Sequence, residues 1–317
     1  MDNNKMSVSD QNLKENIADA LKSFQEGSFQ FNATAFFNSL GYKSEKTFKL
    51  SPNTPENFIG EFDREGIFNK ERALFYRWET VDIIYQLTDD EINIIKNGQD
   101  NITFDSKKKY DGRIIESYLF IAIDLEQGDY TRTNLSNITR EINKLFPMPV
   151  LIFFKHSSTL SLLSLSIIQR RLHKRDSSKD VLEKVTLIKD ICFETPHRAH
   201  IEILHDLSFG NLYKKYKFTN FSELDNSWKE TLSINELNKR FYKELSNWYF
   251  WALKNVNFPG ASIMADQNTL LQEKESVKEH NAKNLIRLLT RILFVWFLKE
   301  KSLIPEELFD EKYIKNI

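Results

Sequence analysis

One cysteine, Cys192, occurs in 317 residues. That excludes an internal disulfide and any zinc cluster built from cysteines. The lone thiol reads as a small buried apolar side chain. Glycine (9) and proline (7) are scarce, which argues against a loop-rich fold or a sandwich of many turns. Charge of one sign is also lacking: 44 Lys and Arg face 45 Asp and Glu, a formal net charge of −1. A dedicated nucleic-acid coat would carry a basic excess, so that class is disfavoured, while a local basic patch stays open. The N-terminus, MDNNKMSVSDQNLKENI, has no apolar h-region and does not read as a signal peptide. The most apolar stretch, 285–298, is interrupted by Arg287 and Arg291 and falls short of the ~20 residues of a membrane span. The expectation is a cytoplasmic chain without a membrane segment.

Apolar and aromatic residues are plentiful. They make up 41% and 13% of the chain, with 25 Phe, enough for a sizeable core at a length comfortable for two domains. Helical spacing of Leu13, Ile17, Leu21 and Phe24 predicts a helix over 12–24, and 33–40 reads as a short helix closed by Gly41. Residues 44–56 read as a Ser/Pro/Asn loop. Residues 72–87 (RALFYRWETVDIIYQL) are aromatic and β-branched, which predicts one or two strands. The polar segment 97–112, with Lys107, Lys108 and Lys109, reads as a solvated loop.

The middle of the chain carries the clearest pattern. SYLFIAIDL (117–125) is a continuous apolar run of the kind buried on both faces of a sheet. A helix follows over 131–146, with Leu135, Ile138, Ile142 and Leu145 on one face and Pro147 at its end. VLIFF (150–154) is a second buried strand, so the first two strands form a roughly parallel crossover pair. A third strand, 159–170, pairs antiparallel through the turn at 156–158. Residues 171–180 read as a charged turn, and 181–192 as a further strand. The fold expected is α/β: an N-terminal domain with a central mixed sheet over 1–207, then an α-helical connector over 208–317. In the connector, 234–255 places Leu237, Phe241, Leu245, Trp248 and Ala252 on one stripe. The helix at 277–298 is apolar on most sides, which predicts burial in a larger body.

Several constellations could carry chemistry. Asp111, Asp124 and Glu126 surround the first buried strand. Metal-dependent nucleases of the PD-(D/E)xK type set an Asp ahead of a (D/E)-x-K at a strand end. Two carboxylates hold Mg²⁺, and a Lys positions or activates the attacking water. Asp111 and Asp124 would be the Mg²⁺ ligands. Glu126 stands where that pattern has Lys, and Lys155 at the end of the next strand could occupy nearby space. The competing reading is a solvent-facing carboxylate cluster. Basic residues form a second group. Arg132 and Arg140 lie on the crossover helix, and Arg170, Arg171, His173, Lys174 and Arg175 cluster in one turn, suited to phosphate contacts or simply to solvent, with Asp176 and Asp180 partly balancing them. A third group is His197, His200, Glu202 and His205. Residues three apart on a helix could share a metal, but such histidines more often pack or hydrogen-bond. Phosphate-loop, dinucleotide and nucleophile-elbow patterns are absent, as is the (N/D)-P-P-(Y/F) of adenine methylases.

Two passages, INELNKRFYKELSNWYFWALKN (234–255) and NLIRLLTRILFVWFLKEKSLIPEELF (284–309), resemble the helical region ahead of the methyltransferase core in type IIG restriction–modification enzymes, which methylate adenine. Residues 150–191 resemble the N-terminal part of such proteins. The resemblance implies a nuclease domain, then a helical connector, then a downstream methyltransferase that would bind S-adenosylmethionine, with duplex DNA as partner. The 1–207 sheet domain would then be restriction-endonuclease-like, in active or decayed form. The last residues, 313–317, read as a helix in progress. On this reading the partner of the 280–300 helix is the downstream domain of the same polypeptide, and Phe294, Trp296 and Phe297 form its contact. The reading from another class is a protein-interaction scaffold with no nucleic-acid role.

Overall fold

The computed structural model describes residues 8–96, 109–157, 161–173, 176–259, 270–300 and 303–305. Its elements run α1 (Val8–Lys22), α2 (Phe29–Ser39), α3 (Pro55–Phe62), β1 (Trp78–Thr88), α4 (Asp89–Lys96), β2 (Ser117–Leu125), α5 (Arg132–Lys144), β3 (Val150–Ser157), β4 (Ser161–His173), β5 (Asp176–Cys192), α6 (Arg198–Asp206), α7 (Phe209–Tyr216), α8 (Phe221–Thr231), α9 (Ile234–Asn255) and α10 (Leu270–Glu300). The five strands make one mixed sheet in the order β1-β2-β3-β4-β5. Only β2 and β3 run parallel, and α5 joins them. The other three pairs are antiparallel.

The chain divides into two compact units, Met1–Ser233 and Ile234–Ile317. In the first, alternate residues of β2 and β3 feed two cores. Tyr118, Phe120, Leu151 and Phe153 pack with α1, α2 and the α6–α8 segment. Leu119, Ile121, Ile152 and Phe154 pack with α3, α5 and the 63–77 segment. The arrangement is helices on both faces of a sheet, and it explains why β2 and β3 are apolar at nearly every position. Starts of helices are set locally. Thr131 caps α5 in a reciprocal capping box with Asn134. Thr54 and Pro55 start α3 inside the stretch whose Ser/Pro/Asn content reads as loop; there Pro at the first helical position is a start signal.

The boundary between units falls after Ser233 rather than near residue 207. Buried polar bonds tie the intervening helices to the sheet. The Tyr42 hydroxyl donates to Leu207 O at 2.6 Å and accepts from Trp228 Nε1 at 2.8 Å. Tyr85 donates to Tyr42 O at 2.7 Å, and Tyr118 to Asp225 Oδ1 at 2.7 Å. Burial holds the three phenols well above the ordinary tyrosine pKa, so they remain donors.

A second difference concerns the expected charged turn at 171–180. Strand pairing takes in 171–173 and 176–180: Arg170 faces Leu182, Arg171 faces Val181, and Leu172 faces Asp180. A paired ladder satisfies the backbone whatever the side chains are, so charge alone does not mark a turn. Lys174 and Arg175 lie outside the described residues. So do Lys107 and Lys108 of the expected polar loop. Cys192 is half-buried, not fully enclosed, with Thr195 Oγ1 3.4 Å from its sulfur.

In the second unit α9 and α10 are in contact, and Ala252 and Leu285 are buried. Asn281 is also buried; its Oδ1 accepts from Phe258 N at 3.0 Å and its Nδ2 donates to Asn257 Oδ1 at 3.1 Å. The apolar end of α10 is exposed: Phe294, Trp296 and Phe297, the expected contact patch, are 59%, 52% and 53% exposed. Phe241 and Trp248 of the expected α9 stripe are exposed as well. No helix among the described residues is long and apolar enough to cross a membrane.

Truncating Trp228 to Ala should cost about 3–5 kcal/mol, the range for a large buried aromatic. It also leaves the Tyr42 hydroxyl without its indole donor. Urea unfolding followed by circular dichroism measures the loss; an unchanged midpoint would mean that α8 is not part of the first unit's core.

Candidate functional site

Apolar runs of β2 and β3 end together. Their parallel register pairs Asp124 with Lys155, the first charged residues after the fully buried stretches 117–123 and 150–154. Lys155 Nζ donates to Asp124 Oδ2 at 3.1 Å, and the two side chains are 34% and 16% exposed. Burial raises the Asp124 pKa, while the Lys155 ammonium pulls it back. Lys155 also stands over the Phe29 ring at the start of α2, 6.0 Å from its centroid.

A third charged group joins them from β1. Asp82 is buried and pairs with Ala122, while Thr80 pairs with Asp124. Directly opposed residues share a face, so Asp82 and Asp124 are diagonal neighbours, a separation of roughly 7–8 Å between such positions. Asn53 Nδ2 donates to Asp82 Oδ2 at 3.0 Å. Burial raises the Asp82 pKa, and the Asn53 bond opposes the shift. Reading 72–87 for strand propensity passes over this residue. The available signal was a single carboxylate inside VDIIYQL, where a charge on a buried strand calls for a reason.

Asp111 is not brought to this edge. Its backbone is clasped by buried Gln86: Asp111 N donates to Gln86 Oε1 at 2.9 Å, and Gln86 Nε2 donates to Asp111 O at 3.0 Å. The same Nε2 donates to Ser117 Oγ at 2.9 Å, which fixes Asp111 at the start of β2. Its carboxylate takes both Nε and Nη2 of Arg113 at 3.0 Å. Asp124 lies at the far end of the strand, roughly 20 Å away at about 3.3 Å per residue. Carboxylates sharing one Mg²⁺ must each approach it within roughly 2.6 Å, so the expected Asp111–Asp124 metal pair does not form. Glu126 sits just beyond β2, exposed, its N–H donating to Arg77 O at 2.8 Å. Among the described residues no group of three or more His, Cys, Asp and Glu side chains is placed to hold a metal ion.

The other candidates scatter. Arg132 Nη1 donates to Leu187 O at 3.4 Å, tying the start of α5 to β5. Arg140 is half-buried on the same helix. Arg170 and Arg171 belong to β4. His197 caps α6, its Nδ1 accepting from Ala199 N at 3.2 Å. His200 lies with its ring centroid 6.2 Å from that of His197; its pKa is lowered first by burial and then by His197. Glu202 accepts from Arg198 Nε at 2.7 Å.

One buried histidine next to Lys155 has a consequence for stability. His156 is 1% exposed, with Nε2 2.8 Å from Ser164 Oγ and its ring against Tyr130. Burial drives its pKa down to about 4. The folded chain therefore keeps a neutral ring, and the unfolded chain binds a proton below its ordinary pKa of about 6.5. The stability from this difference is complete above pH 6.5 and is lost as pH falls toward 4, on the order of 3 kcal/mol. Urea midpoints measured from pH 7 to 4 should fall more steeply for the natural chain than for His156→Gln; parallel curves would refute the assignment.

No family model, curated protein or solved structure matches this chain.

Proposed function

We propose that the first unit is a restriction-endonuclease-like, DNA-binding module of a restriction–modification protein, with its phosphodiester site at Asp82, Asp124 and Lys155. The observation that supports this reading is the side-by-side placement of Asp124 and Lys155 at the ends of two parallel strands, 3.1 Å apart and part-buried. Ligand sites of α/β sheets favour the carboxyl ends of such strands. With Asp111 a strand length away, buried Asp82, which pairs with Ala122 on the neighbouring strand, would have to act as the second carboxylate.

The donor set suits Mg²⁺, which is commonly held by one or two carboxylates, waters and substrate phosphate oxygens. Asp82 and Asp124 would hold it. When bound, the ion would acidify an attacking water and draw charge off the phosphate. Lys155 would balance the negative charge beside Asp124 and orient the water. Because Glu126 replaces the Lys of the (D/E)-x-K pattern, the ammonium comes from the neighbouring strand, and a weak or decayed nuclease is consistent with that change. Arg132, Arg140, Arg170, Arg171, Lys174 and Arg175 are the candidate phosphate contacts. In this reading α9 and α10 lead to a downstream adenine methyltransferase domain that binds S-adenosylmethionine.

The scaffold reading is favoured by one observation, the exposed aromatics of α9 and α10. The two are separated by DNA binding across a salt series. The nuclease-like reading expects a log affinity for duplex DNA that falls linearly with log salt, and Mg²⁺-dependent nicking that drops about 100-fold or more in Lys155→Ala and vanishes in Asp124→Asn. Absence of salt-dependent binding would leave the scaffold; binding without nicking would leave a decayed, DNA-positioning module.

A further inference from the structure

The helices of the first unit turn their apolar faces into its two cores. Among its described residues the large apolar side chains left in water are scattered singly: Phe31, Ile67, Tyr76 and Ile115. The second unit differs. Eight aromatic side chains, five on α9 and three on α10, are between 41% and 63% exposed. A complete aromatic side chain carries roughly 150–250 Å², so about half of each leaves on the order of 800 Å² of aromatic surface in water. The largest apolar patch of a monomer is about 300–600 Å². Each partner of a standard-size protein interface contributes about 800 Å².

On α10 this surface is ordered. Asn281 and Leu285 are buried, and Asn281 bonds Asn257 and Phe258, so that side of α10 faces the end of α9. Ile286, Thr290, Leu293 and Phe297 form a row roughly a third of a turn round the helix from it. Their spacing of four, three and four residues is that of a seam between packed helices. Ile286 and Leu293 are 53% and 42% exposed, and Phe297 is exposed with them. Thr290 brings no unpaired polar group to the row, because its Oγ1 donates to Ile286 O of its own helix at 2.8 Å. Arg287 and Arg291 stand roughly a quarter-turn or more aside, which keeps like charges off the seam.

We propose that this seam is a homodimer interface, in which the α9–α10 pairs of two copies close into a four-helix bundle about a two-fold axis. A row with this spacing fits another helix. A helix that lies on a lipid surface is apolar on one side, whereas α10 is apolar on the side toward α9 and again along the seam. The first unit presents no exposed apolar helix row among its described residues, while a second copy presents this same row, which is complementary to itself about a two-fold axis. Two helices leave their outer sides in water; four enclose a common core. The exposed aromatic area is of the size that a stable dimer needs. The assembly is independent of whatever chemistry the Asp124–Lys155 edge performs.

Sedimentation equilibrium of the full chain, loaded from about 1 to about 100 µM, covers dissociation constants of that order. At the upper end the natural chain should weigh twice its 37.5 kDa. Leu293→Glu sets a charge in the seam and should weaken the dimer about 30-fold or more, the loss of a hot-spot residue. Phe297→Ser, in the same row, should weaken it as well, and Leu293→Met should keep it. Ile115→Glu, exposed on the first unit, should leave the assembly unchanged. Each of these side chains is exposed within one chain, so circular dichroism of the diluted variants should match that of the natural chain. A natural chain that stays at 37.5 kDa throughout overturns the proposal and gives the seam to a different partner. A dimer that survives both Leu293→Glu and Phe297→Ser overturns it too, since it would rest on another surface.

Discussion

Exclusion of water from both faces of β2 and β3 governs the rest of the structure. Once helices cover each side, a strand can keep a charged group only at an end or beside a partner. The apolar positions of 117–123 and 150–154 therefore do more than build a core. They push the first charges, Asp124 and Lys155, to the same edge, and the parallel register sets them side by side. The same exclusion accounts for the clasp on Asp111, where buried Gln86 satisfies a backbone that water cannot reach.

A charge that breaks the rule is informative. Asp82 lies within β1 and is buried, and its carboxylate accepts from the Asn53 amide. Its neighbour across the ladder is the small, buried side chain of Ala122. Both carboxylates are shifted toward their neutral forms by burial, and each is partly compensated, Asp124 by the Lys155 ammonium and Asp82 by the Asn53 amide.

The order of buried strand, helix and buried strand was legible in the residues, because long apolar runs and a capped amphipathic helix are local signals. Helices at 234–255 and through 277–298 were legible for the same reason. Long-range pairing was not. Nothing in the spacing of Asp111 and Asp124 indicates that a whole strand length separates them, because the intervening turn is set by a side-chain amide from β1. Asp82 was hidden by the opposite error: a strand was recognised, and its one discordant residue was read as part of the strand. The division after Ser233 was missed because the bonds that place α8 in the first core, from Trp228 and Asp225 to tyrosines more than 100 residues earlier, leave no periodicity to read.

The tryptophans divide along the same line. Trp78 and Trp228, in the first unit, are 6% and 0% exposed; Trp248, Trp251 and Trp296, in the second, are 41%, 60% and 52% exposed. Indole emission moves to shorter wavelength in apolar surroundings, so the chain carries two spectrally distinct populations without any label. Acrylamide reaches one set and not the other. The blue component then follows the sheet as it unfolds, and the red component reports whatever comes to rest on α9 and α10, so a single spectrum resolves the two units.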